Sequence, residues 1–70
     1  MNKEYKLPEM MRKLLKEKKI SGNKLAYKMD VSQKSVYEWM NGITIPSLFS
    51  LMALAKEFDV GLDYLVYGKE

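Results

Sequence analysis

Residues 21–42 read SGNKLAYKMDVSQKSVYEWMNG, and the organisation of the chain follows from this stretch. Ser21 is a candidate N-cap, because a serine hydroxyl can accept from an unpaired amide of the first helical turn. Leu25, Ala26 and Met29 then form the apolar stripe of a short helix. Asp30-Val31 breaks that pattern. Ser32 can cap another helix, on which Val36, Trp39 and Met40 fall at i, i+3 and i+4, with Trp39 expected in the core. Asn41-Gly42 is a helix stop. Two short helices joined by a tight turn, the second capped by serine, describe a helix-turn-helix over about residues 21–42.

Moving outward, Pro8 suits the first turn of a helix that carries Leu7, Met11, Leu14, Leu15 and Lys18 at helical spacing. Residues 1–6 are polar and are expected to form a flexible N-terminal arm. Beyond the motif, Ile43-Thr44-Ile45-Pro46 is a short connector. Ser47 caps a fourth helix with Leu48, Leu51, Met52, Leu54, Ala55 and Phe58 as its expected apolar positions. Asp59-Val60-Gly61 ends it, and Leu62 to Val66 make a last short helix. No segment alternates as a strand does, so the fold class is all-α, with one helix-turn-helix domain over residues 7–68.

Seventy residues suffice for one domain, near the lower limit for folding alone, and 47% of them are apolar. The chain has no cysteine and no histidine. That removes disulfides, thiolate chemistry, the commonest general base and the commonest metal ligand, so no catalytic residues, cofactor or metal site are expected and the chain reads as a non-enzyme. No apolar run approaches the roughly 20 residues that cross a bilayer, and MNKEYKLPEM lacks a signal-peptide core, so a cytoplasmic location in a bacterial host is expected, away from membrane. Net charge is +3 but unevenly spread. Residues 1–34 carry ten Lys/Arg against four Asp/Glu, and residues 35–70 carry two against five. The front half could face a polyanion, or its lysines could simply keep a small domain in solution.

On the third helix Gln33, Lys34, Tyr37 and Glu38 form the stripe opposite Val36, Trp39 and Met40. All four can hydrogen-bond, and Gln and Lys suit base edges in a major groove; the same stripe also fits an ordinary solvated helix face. Asn23, Lys24, Tyr27 and Lys28 of the second helix, with Ser35, Asn41 and Thr44 around the third, complete the candidate DNA- or partner-binding set. Phe49, Tyr64, Val66 and Tyr67 look too apolar for a wholly free surface and are candidates for a dimer or partner surface, although isolated exposed apolar residues are ordinary.

The series Ile20-Ser21, Leu25-Ala26, Val31-Ser32, Val36, Trp39, Asn41-Gly42, Pro46-Ser47-Leu48, Leu51, Leu54-Ala55-Lys56 and Val60-Gly61-Leu62-Asp63-Tyr64-Leu65 resembles the Cro/CI (XRE-type) family of helix-turn-helix regulators. The resemblance covers about residues 10–68. It implies a compact bundle of five short helices, a lambda-repressor-like DNA-binding domain, and operator DNA as the partner. The small size is similar to the Cro-like, antirepressor and modulator-of-repression proteins of temperate-phage lysogeny switches. The resemblance therefore leaves two roles open. One is a transcriptional regulator that occupies double-stranded operator DNA, possible as a homodimer. The alternative is a module that binds a repressor protein through its helix-turn-helix surface and alters that repressor's DNA binding.

Several positions depart from the family pattern. Gly22 stands where the family usually has Gln, which helps clamp a phosphate. Ile43-Thr44-Ile45 is uncharged where the family is often basic, which implies weaker and less salt-dependent DNA binding. Leu15 and Met40 replace a frequent Arg–Glu pair, and an apolar pair can do so at little cost. Glu38 puts a carboxylate on the expected reading face, where it repels phosphate but can accept from cytosine. Asp30 and Asp59 stand where the family tends to have Gly; Asp tolerates left-handed backbone better than most residues.

Overall fold

Three serines start three of the helices. In the computed structural model, which describes residues 4–69, the hydroxyls of Ser21, Ser32 and Ser47 accept from the backbone amides of Lys24, Ser35 and Ser50 at 3.0, 3.0 and 3.2 Å. Each such cap is worth about 1 kcal/mol. The helices are α1 (Leu7–Lys18), α2 (Gly22–Met29), α3 (Gln33–Met40), α4 (Leu48–Phe58) and α5 (Leu62–Tyr67). Pro8 sits in the first turn of α1, where its missing N–H leaves no helical bond unmade. No strand occurs among the described residues.

One device closes α1, α2 and α4. Lys19, Asp30 and Asp59 adopt left-handed backbone with φ near +58°, and the next residue's amide reaches back across the last turn. Ile20 donates to the Leu15 carbonyl at 3.1 Å, Val31 to Ala26 at 3.0 Å and Val60 to Ala55 at 3.0 Å. The apolar side chains of Ile20, Val31 and Val60 pack against the core, as the Schellman motif favours, and a capping residue follows at once. Three-residue corners of this kind (left-handed, apolar, cap) turn the chain sharply. Both aspartates are thus in the geometry expected of them.

The core is apolar: among the described residues no polar or charged residue is buried. Helix α1 supplies Leu7, Met10, Met11, Leu14 and Leu15, and packs on α3 and α5. Leu25 and Ala26 of α2, Val36 and Trp39 of α3, Leu54, Ala55 and Phe58 of α4, and Leu65 of α5 complete it. Arg12 donates to the carbonyl of Met40, so a cation of α1 meets the negative end of α3.

The structure separates the apolar positions of α4 and narrows the expected arm. Leu48 and Met52 are 62% and 51% exposed. Leu51, Leu54, Ala55 and Phe58 already fill the inward stripe of α4, and Leu48 and Met52 lie on another. The flexible arm does not extend to residues 5 and 6. The Lys6 amide donates to the Val66 carbonyl at 2.6 Å, and Tyr5 packs against the core. Residues 1–3 of that arm lie outside the described residues.

Burial raises the pKa of Tyr5, and its hydroxyl has no hydrogen-bond partner among the described residues. An unsatisfied buried hydroxyl costs about 1–3 kcal/mol. Tyr5→Phe is therefore expected to keep or raise stability, by up to about 1 kcal/mol, read as the midpoint of urea unfolding. A loss of stability would show that the hydroxyl does find a partner.

Candidate nucleic-acid interface

Helices α2 and α3 pack on one another through the corner at Asp30-Val31, and together they present one outward face. Leu25, Ala26, Val36 and Trp39 point inward, so the opposite positions must point out. Asn23, Lys24, Tyr27, Gln33, Lys34 and Tyr37 are exposed. Two open depressions run between the helices. One, of about 250 Å³, is lined by residues that include Gly22, Asn23, Gln33 and Tyr37. The other, of about 260 Å³, includes Asn23, Tyr27, Asp30 and Gln33. Asn23 and Gln33 line both, so they are neighbours across the groove between the helices.

The remaining candidates are held by the protein itself. Lys28 pairs with Glu57 of α4 at 3.4 Å, which turns its charge toward the back of the domain. The pair is a surface contact of small energetic weight. The Ser35 hydroxyl accepts from that of Ser32 at 2.9 Å and stays with the cap. Asn41 donates through Nδ2 to the Tyr37 carbonyl at 2.8 Å and so finishes α3. The Thr44 hydroxyl reaches the Glu38 carboxylate at 3.4 Å, and Glu38 is half-buried. The candidate set thus divides into six side chains without a hydrogen bond or ion pair among the described residues and five with structural partners.

Two of the unusual positions prove to be one packing unit. A Cβ built on Gly22 would lie 3.3 Å from Met40 Sδ and 3.5 Å from Val36 Cγ1. Met40 packs against the core over this glycine, beside which a longer side chain would have to displace its thioether. The amides of Gly22 and Asn23, at the N-terminus of α2, have no partner among the described residues. They remain open to an anion. Leu15 is buried, as its apolar replacement of an arginine requires.

The second candidate surface is not continuous in character. Phe49 is 80% exposed in the first turn of α4, whereas Tyr64, Val66 and Tyr67 are half-buried on α5. Tyr64 accepts from Lys13 Nζ at 3.2 Å, and this hydrogen bond, reinforced by the charge interactions with Tyr64 and Glu17, raises the lysine pKa. Residues that sequence reasoning did not single out share the exposure of Phe49: Ile43, Ile45, Leu48 and Met52 are all more than half exposed. The signal for them was available, since residues 43–55 contain no charge.

Among the described residues no group of metal-binding side chains occurs, and no helix is long and apolar enough to cross a membrane. A family model described as helix-turn-helix matches residues 11–65. Among solved structures, a transcriptional regulator from Listeria innocua superposes with a TM-score of 0.84 at 28% sequence identity. The match covers 96% of this chain and 62% of the Listeria chain, so this chain spans less than two thirds of that regulator. No curated protein matches the sequence.

Proposed function

The chain belongs to the helix-turn-helix family, and on that premise we propose that it is a small transcriptional regulator that occupies operator DNA with α2 and α3. The observation that carries the reading is the outward face of these helices. Its six polar and aromatic side chains have no hydrogen bond or ion pair among the described residues, and α2 begins beside them with two open amides. With α3 in the major groove, Gln33 can make paired hydrogen bonds to an adenine edge, and Lys34 can donate to guanine or to phosphate. The open amides of Gly22 and Asn23 would meet the backbone beside the groove. The surplus of Lys and Arg over residues 1–34 favours approach to a polyanion.

This role involves no catalytic step and no cofactor, and it places the protein in the bacterial cytoplasm. A place in a lysogeny–lysis switch is the finer part of the proposal, and it rests on the resemblance of residues 10–68 to the Cro/CI family. A second reading, binding of a repressor protein through the same face, is favoured by Tyr27 and Tyr37, which stand 85% and 61% exposed. Tyrosines are favoured contact residues, and the uncharged connector Ile43-Thr44-Ile45 offers nothing to phosphate.

A gel shift tests both readings. The purified chain, alone and with the cognate repressor, is titrated onto the intergenic DNA beside its gene. Retardation by the chain alone, weakening as salt rises, is the expected result. If the chain leaves DNA unshifted and only changes the repressor's band, the DNA reading fails and the repressor reading stands.

A further inference from the structure

Helix α1 carries cations on two sides. Lys13 donates to the Tyr64 hydroxyl at 3.2 Å and stands over its ring, so this cation belongs to the side of α1 that faces α5. Glu17, four residues on, lies on that side too and interacts with the Lys13 charge. Arg12, Lys16 and Lys19 fall at i, i+4 and i+7 on another side, and all three are exposed. Packing shows where this row lies. Arg12 donates to the Met40 carbonyl at the end of α3. A Cβ on Gly42 would lie 3.6 Å from Cγ of Pro8, one turn before Arg12. Met40 in turn sits over Gly22, the first residue of α2. The row therefore borders the α2–α3 face. At its far end Lys19 is three residues from Gly22, no more than about 11 Å away between Cα atoms. Glu9 is the carboxylate beside the row, at the end away from α2.

We propose that Lys16 and Lys19 grip the DNA phosphate backbone, so that α1 makes contacts which the uncharged connector Ile43-Thr44-Ile45 does not. The proposal rests on the DNA-binding reading and adds a third helix to that interface. Charge supports it. Residues 43–55 hold no cation, and Lys28 is paired with Glu57, so Lys24 and Lys34 are the free cations of α2 and α3 themselves. The row on α1 is the next supply. Its shape suits a strand of phosphates: Lys16, Lys19 and the open amides of Gly22 and Asn23 follow one another along the chain as a line of donors. A nucleic-acid strand offers a matching line, one charge per ~3.4 Å of helix axis, whereas a single carboxylate would occupy one donor group and leave the others unused. Arg12 has a positioning part. Its guanidinium ties α1 to the end of α3 and keeps the lysine row beside the face that reads the groove.

The test compares two double variants of the full chain that lose the same charge. Lys16→Gln with Lys19→Gln empties the row, and Lys13→Gln with Lys69→Gln removes two cations from the α5 side; both lower the net charge from +3 to +1. Each is titrated by fluorescence anisotropy onto a duplex selected by the wild-type chain and onto a random duplex, at several salt concentrations. The Lys16/Lys19 variant should lose about 2 from the slope of log K against log salt and bind roughly fiftyfold more weakly at 0.1 M salt. The loss should be equal on both duplexes, because phosphate contacts carry no sequence. The Lys13/Lys69 variant should keep the wild-type slope. All four side chains are exposed, so helical circular dichroism should be retained. Should the double variant misfold, Lys16→Gln alone should lose about 1 from the slope. A Lys16/Lys19 variant with the wild-type slope overturns the proposal and leaves the DNA reading standing. So does an equal loss in both variants, which would mean that only net charge matters. A wild-type chain that binds neither duplex overturns the DNA reading and this proposal with it.

Discussion

Trp39→Ala is expected to leave the chain largely unfolded at room temperature. The indole is only 6% exposed, on the helix that packs against both α1 and α2. Removing a buried Trp side chain costs about 3–5 kcal/mol. A domain of this length has only about 4–10 kcal/mol in total. Collapse around the gap is limited because the other residues of the core cluster, such as Leu14, Leu25 and Val36, are held by their own helices. Circular dichroism should lose most of its helical signal, and any residual transition should be broad. A variant that melts like wild type would show that α3 does not rest on its tryptophan.

Removing Gln33 and Lys34 together is expected to abolish most sequence-specific DNA binding. Each good base contact is worth about 1–3 kcal/mol, so the double alanine variant should bind its selected duplex at least about thirtyfold more weakly. The single variants separate the roles. Gln33→Ala should flatten the preference between selected and random duplexes. If Lys34 contacts phosphate, Lys34→Ala should weaken both equally and reduce the salt slope by about one. Both side chains are exposed and make no hydrogen bond or ion pair among the described residues, so the melting temperature should hardly move.

Much of the fold could be read locally. Ser21, Ser32 and Ser47 announce helices because capping is chemistry of one residue and the next turn. Asp30 and Asp59 announce corners because their side chains tolerate left-handed backbone. Lys19 occupies the same conformation with no such signal; its place between the last turn of α1 and buried Ile20 decides it. Helix α4 has two apolar rows, and periodicity alone does not tell which row meets the core. The tie between Lys6 and Val66 joins backbone atoms far apart in sequence and leaves no local trace.

At the candidate interface, the outward stripe of α3 was legible as the complement of Val36 and Trp39. Which members of that stripe are free was not. Lys28, Ser35, Asn41 and Thr44 look like contact residues in sequence because they are polar and lie in or beside the motif. Their hydrogen bonds and ion pair, to Glu57, Ser32, Tyr37 and Glu38, depend on where the helices end and cross. The coupling of Gly22 to Met40 is likewise a matter of packing: a glycine read as a lost phosphate clamp proves to be the space into which a methionine fits.

The central claim, that the face of α2 and α3 meets DNA, is tested most directly by the affinity of Glu38→Lys for a duplex selected by the wild-type chain. Glu38 is the one acidic residue of α3, and among the described residues Thr44 alone engages its carboxylate. Against phosphates, reversing its charge should strengthen binding about tenfold at low salt, with a smaller gain at high salt. Fluorescence anisotropy at two salt concentrations gives both values, and the same variant can be titrated with the cognate repressor. Tighter DNA binding that fades with salt is the predicted result. Unchanged DNA affinity, together with a loss of affinity for a basic face on the repressor, would contradict the account and assign the surface to a protein partner.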